Sequence, residues 1–113
     1  MDEATMVRTY TEAIEALNSG DLVGFGAMLA DRCSVMRGNQ QIAETREEFV
    51  SAISQARERG LIRHDIVSAS GHGQVLVSLF HDSFSHGSTV NGGGLLLFND
   101  EGKVIAIRML AGH

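Results

Sequence analysis

The segment Ala16-Leu17-Asn18-Ser19-Gly20-Asp21-Leu22 ends one helix and begins the next. Its Asn18-Ser19-Gly20 core is typical of a helix C-terminus, and Asp21 can accept hydrogen bonds from backbone amides of the following turn. Near the other end of the chain, Phe98-Asn99-Asp100-Glu101-Gly102-Lys103-Val104 has the composition of a hairpin turn that enters a final strand. The two segments predict helices in the first half of the chain and antiparallel strands in the second.

Three helices are predicted in the first half of the chain. Apolar side chains recur every three or four positions over residues 5–18, which indicates an amphipathic helix. Asp21 caps a second helix, and Cys33–Met36 is predicted as a short strand. Thr45–Glu48 has the sequence of a capping box that opens a third helix, which Gly60 ends. The apolar face of the second helix comprises Leu22, Phe25, Met28 and Leu29.

Downstream of Gly60 the spacing of apolar residues changes from a helical period to alternation, which is typical of strands. Segments of turn composition divide this half of the chain into four strands. The predicted strands are Ile62–Ser70, Gln74–Phe84, Thr89–Phe98 and Lys103–Ala111. Helices followed by an antiparallel meander predict an α+β fold in which the helices cover one face of a curved sheet.

The composition places limits on function. With 113 residues, 43% hydrophobic and 20% charged, the chain is predicted to form one globular domain over residues 1–113. The net charge of −5 and the nine scattered Lys and Arg argue against nucleic-acid binding. Cys33 is the single cysteine and no histidine pair has the spacing of a metal site, so no disulfide, metal or other cofactor is expected.

The N-terminus and the hydropathy pattern bear on location. No apolar run approaches the roughly 20 residues that span a bilayer. The acidic start Met1-Asp2-Glu3 lacks the positive charge of a signal peptide. A cytoplasmic protein without a membrane partner is therefore expected.

The order of these elements resembles a known superfamily. The predicted order is a first helix followed by Leu17–Asp21, a second helix ending at Leu29-Ala30-Asp31, a capped third helix, a long meander and the Phe98–Lys103 hairpin. This order is similar to that of the nuclear transport factor 2-like superfamily, in its ketosteroid isomerase and SnoaL-like polyketide cyclase branch. The resemblance covers nearly the whole chain. It implies a cone-shaped α+β barrel of the cystatin-like type, with a pocket between the helices and the concave face of the sheet. It also implies a homodimer formed through the outer sheet face.

The isomerase catalytic set does not carry over to this chain. Aligned on Asn18–Asp21, the tyrosine that donates to the oxyanion falls at Ala13, and the carboxylate that removes the proton falls at Arg37. Counted back from Phe98, the protonated aspartate falls at Gly94. Without these donors and this base, steroid isomerisation by the family mechanism is not expected.

Other residues are candidates for a different chemistry. His81 and Asp82 are the candidate catalytic residues, and the alternation of side chains along a strand puts only one of them on the pocket side. A working pair would join neighbouring strands, either His64 with Asp82 or His81 with Asp65, and the register cannot be read from the sequence. Side chains predicted to contact a ligand are Tyr10, Met36, Arg37, Phe49, Leu96, Ile107 and Met109.

Two of these ligand contacts each have two interpretations. Arg37 would favour a carboxylate or phenolate ligand at the mouth of the pocket, or a shifted register would turn it to solvent. Tyr10 presents its hydroxyl group to the pocket, or it is a core residue whose hydroxyl group lies at the rim.

Three functions are compatible with these residues. In the first, the domain binds a small hydrophobic molecule whose polar end is oriented by Tyr10, Arg37 or a strand histidine. In the second, the domain is a lyase, cyclase or isomerase that uses a displaced His or Asp base. In the third, its own side chains fill the cone and the domain is a dimeric association module. Ligand binding is the favoured interpretation.

Overall fold

The computed structural model describes residues 1–110 as three helices and six strands. In chain order these are α1 (Glu3–Asn18), α2 (Leu22–Gly26), β1 (Leu29–Arg37), β2 (Gln40–Thr45), α3 (Arg46–Glu58), β3 (Leu61–His72), β4 (Val75–Phe84), β5 (Thr89–Phe98) and β6 (Val104–Leu110). Ala111, the predicted end of the last strand, lies outside the described residues. The helices cover one face of a curved sheet, so the predicted α+β class is confirmed.

Local hydrogen bonds account for the helix starts. Asp21 Oδ1 accepts from the Gly24 amide at 2.9 Å and begins α2. Thr45 Oγ1 accepts from the Glu48 amide at 3.1 Å and begins α3. The Glu48 carboxylate accepts in return from the amide of Glu44, one residue earlier than in a standard capping box. The capping residues named from the sequence therefore begin the helices predicted for them.

Two predictions for the segment between α2 and α3 are wrong. α2 ends at Gly26, and Leu29 is the first residue of β1 instead of part of a helical face. β1 turns back through Gly38, whose φ of +57° suits glycine, into the unpredicted strand β2. β2 is an edge strand in which only Ala43 is buried, so it lacks the regular alternation that reveals a strand.

The sheet is curved but is not closed into a barrel. Its strand order is β2-β1-β6-β5-β4-β3, so β2 and β3 are the two edges. β1 and β6 run parallel, and every other neighbouring pair is antiparallel. These directions bring the ends of β1, β4 and β6 and the starts of β3 and β5 to one end of the sheet, here termed the open end.

The opposite end of the sheet is filled by side chains. Leu29, Leu76, Phe98 and Val104 lie there on four different strands, and Met6 of α1 belongs to the same core cluster. All five side chains have no solvent exposure. The core therefore closes this end of the molecule, and the space between helices and sheet lies toward the open end.

The edge strand β3 is held by a side chain from the end of α1. Asn18 Nδ2 donates to the His64 carbonyl, and the His64 amide donates to Asn18 Oδ1, both at 2.8 Å. An edge strand has no neighbour on one side, so its outward N–H and C=O groups need other partners. Asn18 supplies both partners at one residue and thereby ties β3 to α1.

The outer face of the sheet is partly apolar. Leu79, Leu95 and Leu97 lie on the adjacent strands β4 and β5 and are 52, 38 and 38% exposed. Pairing of two copies through this face stays a prediction. Among residues 1–110, no helix combines the length and the apolar character needed to cross a membrane.

We expect the Cys33 thiol to be unreactive in the folded protein. Its side chain has no solvent exposure, and burial raises its pKa from 9.0 to about 11. Because the thiolate is the reactive form, iodoacetamide should label Cys33 only after unfolding in urea, as measured by intact mass. Rapid labelling of the folded protein would contradict this expectation.

The raised pKa of Cys33 also makes stability depend on pH. As the pH rises from 9.0 toward about 11, the unfolded thiol loses its proton while the folded thiol keeps it, so the free energy of unfolding falls. Cys33→Ala should flatten part of this fall. A remaining fall in the variant is expected from Tyr10, because burial raises the pKa of its phenol as well.

Asn18→Ala is expected to loosen β3 at His64. The substitution leaves a partly buried donor and acceptor without their partners, so the free energy of unfolding should fall by about 1–3 kcal/mol. Native-state hydrogen exchange should show lost protection of the His64 amide. Glu15→Ala, at an exposed position of the same helix, is the matched control. Unchanged protection of the His64 amide in Asn18→Ala would count against this role.

Candidate functional site

A cavity of about 360 Å³ lies between the helices and the concave face of the sheet. Its volume falls toward the lower end of the range found for small-molecule sites. All three helices and all six strands contribute to its wall, which is mainly aliphatic and aromatic. Its polar and charged side chains are Tyr10, Arg37, Arg59, His64, Ser78 and Asp82.

His64 and Asp82 form a hydrogen-bonded pair in the cavity wall. They lie opposite each other on β3 and β4, with His64 Nδ1 2.5 Å from Asp82 Oδ1 and side chains only 16 and 19% exposed. An ionised carboxylate only accepts hydrogen bonds, so Nδ1 carries the hydrogen and Nε2 of the neutral ring carries the lone pair. No residue within 1–110 hydrogen bonds to Nε2, which leaves this nitrogen available to a ligand.

An aromatic ring supports the imidazole. The ring centroids of Phe80 and His64 are 4.6 Å apart, with an angle of 37° between the ring planes. Phe80 also lies over Gly92 of β5, where a Cβ atom would come within 2.5 Å of the Phe80 ring. Glycine at this position therefore leaves room for the ring that packs against His64.

A second polar pair lies deeper in the cavity. Tyr10 and Ser78 are joined by a 2.8 Å hydrogen bond between their hydroxyl oxygens, and both residues are almost fully buried. Burial raises the pKa of Tyr10; the Ser78 hydrogen bond opposes this rise, and the negative charge of Asp82 adds to it. Tyr10 therefore remains a neutral hydroxyl group at physiological pH.

The polar groups are ordered along the cavity. On the inward face of β4, Ser78 lies toward the closed end and Asp82 toward the open end. Arg37, the last residue of β1, and Arg59, which directly follows α3, line the open end and are exposed. A ligand that enters from the open end would thus meet guanidinium groups first, the His64–Asp82 pair next and the neutral hydroxyl groups last.

Most of the residues predicted to contact a ligand line this cavity. They are Tyr10, Arg37, Phe49, Leu96, Ile107 and Met109, and Asp82 lines it as well. Met36 and His81 do not line it, because each directly precedes an inward-facing residue on its strand and adjacent strand residues point to opposite faces. His81 Nδ1 instead lies 2.7 Å from Asn91 Oδ1 in an exposed position. His81 is therefore corrected from a candidate pocket base to an outer-face residue.

Several lining residues were missed or left open by sequence reasoning. His64 enters there only as one of two possible pairings, and Ser78 and Arg59 do not enter at all. A signal for Ser78 exists, since it is the polar member of the alternating inward series Leu76, Ser78, Phe80 on β4. No comparable signal exists for Arg59, which reaches the cavity only because α3 ends at the open end.

The three positions of this chain that align with the isomerase catalytic residues do not carry catalytic side chains of that kind. Ala13 is buried in the core, Gly94 lines the cavity without a side chain, and Arg37 lies at the open end. In the part of the chain described, residues 1–110, His, Cys, Asp and Glu side chains form no group of three or more that could hold a metal ion. The side chains in the cavity wall that can exchange a proton are His64, Asp82 and the hydroxyl pair of Tyr10 and Ser78.

No protein-family model and no curated protein matches the sequence. Solved structures do match the fold. A candidate ketosteroid isomerase from Kribbella flavida has a TM-score of 0.84 at 13% identity, over 99% of this chain and 81% of that one. A SnoaL-like family protein from Agrobacterium tumefaciens has a TM-score of 0.74 at 19% identity, over 96% and 95%. A nuclear transport factor 2-like protein of unknown function from Cytophaga hutchinsonii has 0.77 at 13%, over 92% and 87%.

At sequence identities this low, the matches show that the backbones are alike and do not show that the active sites are alike. The isomerase catalytic residues are indeed absent from this chain at the aligned positions. The resemblance predicted from the order of elements is confirmed for the architecture. The chain has the nuclear transport factor 2-like, or cystatin-like, fold.

Proposed function

We propose that this domain binds a small, largely apolar molecule in the cavity and that the His64–Asp82 pair transfers a proton to and from it. The observation that carries the proposal is the 2.5 Å hydrogen bond between His64 Nδ1 and Asp82 Oδ1 in a mainly apolar wall. A carboxylate in this position orients the imidazole and stabilises its protonated form, which is how such pairs serve as general acid–base catalysts.

Ligand binding is supported by the shape and lining of the interior. A cavity of about 360 Å³ with apolar walls and a few convergent polar groups has the properties of a small-molecule site. Methionine side chains are adaptable enough to fill an irregular gap, but Met28 and Met109 line the cavity and leave its space open. The arrangement favours a ligand site over an interior filled by the protein's own side chains.

The direction of the His64–Asp82 hydrogen bond defines the proton transfer. With Nδ1–H donated to Asp82, the Nε2 lone pair takes a proton from a ligand C–H bond, and the C–H electron pair moves toward an adjacent carbonyl group. The imidazolium then returns the proton to the same or another carbon, which gives exchange or isomerisation without a co-reactant. Loss of a leaving group from the neighbouring carbon would make the same first step a lyase reaction.

Gly94→Leu is expected to block ligand binding by filling the cavity. A Cβ atom at Gly94 would meet only the Arg108 carbonyl oxygen at 3.5 Å, an ordinary contact, so this strand position accepts a side chain that projects into the cavity. We expect the variant to stay folded and to bind a ketone probe, β-tetralone, at least about tenfold more weakly by calorimetry.

Gly93→Ala is the matched control for this substitution. Gly93 is the preceding residue of β5 and faces outward, where its Cβ atom would lie 3.4 Å from Leu79 Cδ2. The control should bind β-tetralone like wild type. Equal binding by Gly94→Leu and wild type would place the ligand outside the cavity and contradict the proposal.

His64→Gln is expected to remove proton transfer. In deuterated water, the wild-type protein should accelerate exchange of the acidic C–H hydrogens of β-tetralone, followed by NMR. His64→Gln should lower the rate above buffer by about 10²–10⁴-fold, the usual contribution of a general base. Asp82→Asn should also slow exchange, because an uncharged amide does not stabilise the imidazolium as the carboxylate does.

His81→Gln is the control for the exchange measurement. His81 directly precedes Asp82 on β4 but faces outward, where it lies opposite Asp65. Its exchange rate should equal that of wild type. If His64→Gln exchanges the hydrogens as fast as wild type, His64 is ruled out as the base. If His81→Gln loses as much of the exchange rate as His64→Gln, the loss results from damage to the fold.

A further inference from the structure

We infer that the ligand of this cavity is an organic acid whose apolar body lies inside and whose carboxylate is bound at the open end by Arg37 and Arg59. The inference rests on the proposed function, because it presupposes that the cavity binds a small molecule. It goes further by specifying the charge of that molecule and its orientation relative to His64.

Different elements bring the two arginines to the same end of the cavity. Arg37 ends β1, where it lies beside Met109 of β6. Arg59 follows α3 and precedes β3, whose first residue Leu61 lies opposite Phe84 at the end of β4. Both arginines line the cavity, and β1 and β3 are well separated in the strand order. A ligand at the open end would therefore lie between guanidinium groups that come from opposite sides.

The cavity wall is positively charged although the protein is acidic. The chain has nine Lys and Arg against fourteen Asp and Glu, and its net charge is −5. Among residues 1–110 the wall contains two arginines and one carboxylate, that of Asp82, so these residues give it a charge of +1 with His64 neutral and +2 with His64 protonated. A site of opposite sign to the whole protein attracts an anion to this place in preference to the rest of the surface.

The two guanidinium groups have no partners among the residues that the structure describes. Within residues 1–110, Arg37 and Arg59 make no side-chain hydrogen bond or ion pair, whereas Arg46 and Arg63 each pair with a carboxylate at 2.7 Å. A guanidinium group presents its N–H donors in one plane, which matches the two oxygens of a carboxylate. The donors of Arg37 and Arg59 are thus available for a ligand carboxylate.

The positions of the charges orient the ligand. Along β4, Asp82 lies two residues deeper than Phe84, a distance of about 7 Å at the usual rise of a strand. A carboxylate held at the open end therefore places the first carbon atoms of the apolar body near His64. The Asp82 carboxylate lies deeper in the cavity and accepts from His64, so a ligand carboxylate at the open end lies closer to the two guanidinium groups than to this negative charge.

The test compares an acid with its neutral isostere. Phenylacetate and phenylacetamide have the same shape and differ in charge, and their binding can be measured at neutral pH from NMR shifts of the His64 ring. We expect phenylacetate to bind at least about fivefold more tightly at about 20 mM salt, with the difference shrinking at about 500 mM salt. Arg37→Gln and Arg59→Gln should each reduce the preference. Arg63→Gln, at an exposed arginine outside the cavity, should not.

The outcomes separate this inference from the proposed function. Equal affinity for the acid and the amide, or a preference that survives both Arg37→Gln and Arg59→Gln, would overturn the inference while the cavity would still bind a small molecule. Failure of phenylacetate, phenylacetamide and β-tetralone alike to bind the wild-type protein would contradict the proposed function, and the inference would fall with it.

Discussion

The side-chain amide of Asn18 holds one edge of the sheet, and the geometry of the candidate site depends on it. The sheet formed by residues 1–110 is open, so β3 has a neighbouring strand on one side only. The two 2.8 Å hydrogen bonds from Asn18 satisfy the backbone of His64 on its unpaired side. They join the end of α1 to the strand residue whose ring meets Asp82 across the cavity wall. Asn18, which the sequence indicates only as part of a helix C-terminus, thus helps to fix the position of the His64 imidazole.

The pairing of His64 with Asp82 depends on one extra residue in β3. Counted without interruption from the turn between β3 and β4, the residue opposite His64 would be Ser83. Val67 has no partner on β4, and the ladder beyond it is shifted by one position, so Asp82 lies opposite His64. A shift of one residue exchanges the faces of a strand, which makes this irregularity decisive for the site. The residue types were visible in the sequence, but the bulge was not.

Most of the fold could be predicted because its signals are local. The caps at Asp21 and Thr45 and the alternation downstream of Gly60 involve residues only a few positions apart. β2 could not be predicted, since an edge strand that buries one residue carries almost no pattern. Alternation along the strands and helical spacing predicted much of the cavity lining, including Tyr10, Arg37 and Asp82, but not which polar side chains pair there. Arg59 and His64 belong to it through the directions of strands and helices, a property of topology that spacing does not contain.

An outward-facing pair of the same residue types shows what the His64–Asp82 hydrogen bond requires. Asp65 and His81 lie opposite each other in the same ladder, yet each is engaged by another neighbour in an exposed setting. Outside the cavity, water and nearby polar side chains compete for both groups. Inside, Phe80 covers one face of the His64 ring, and the apolar wall leaves the carboxylate as its partner. The apolar wall therefore selects this hydrogen bond, because it limits Nδ1 to Asp82 and leaves Nε2 without a hydrogen-bond partner among residues 1–110.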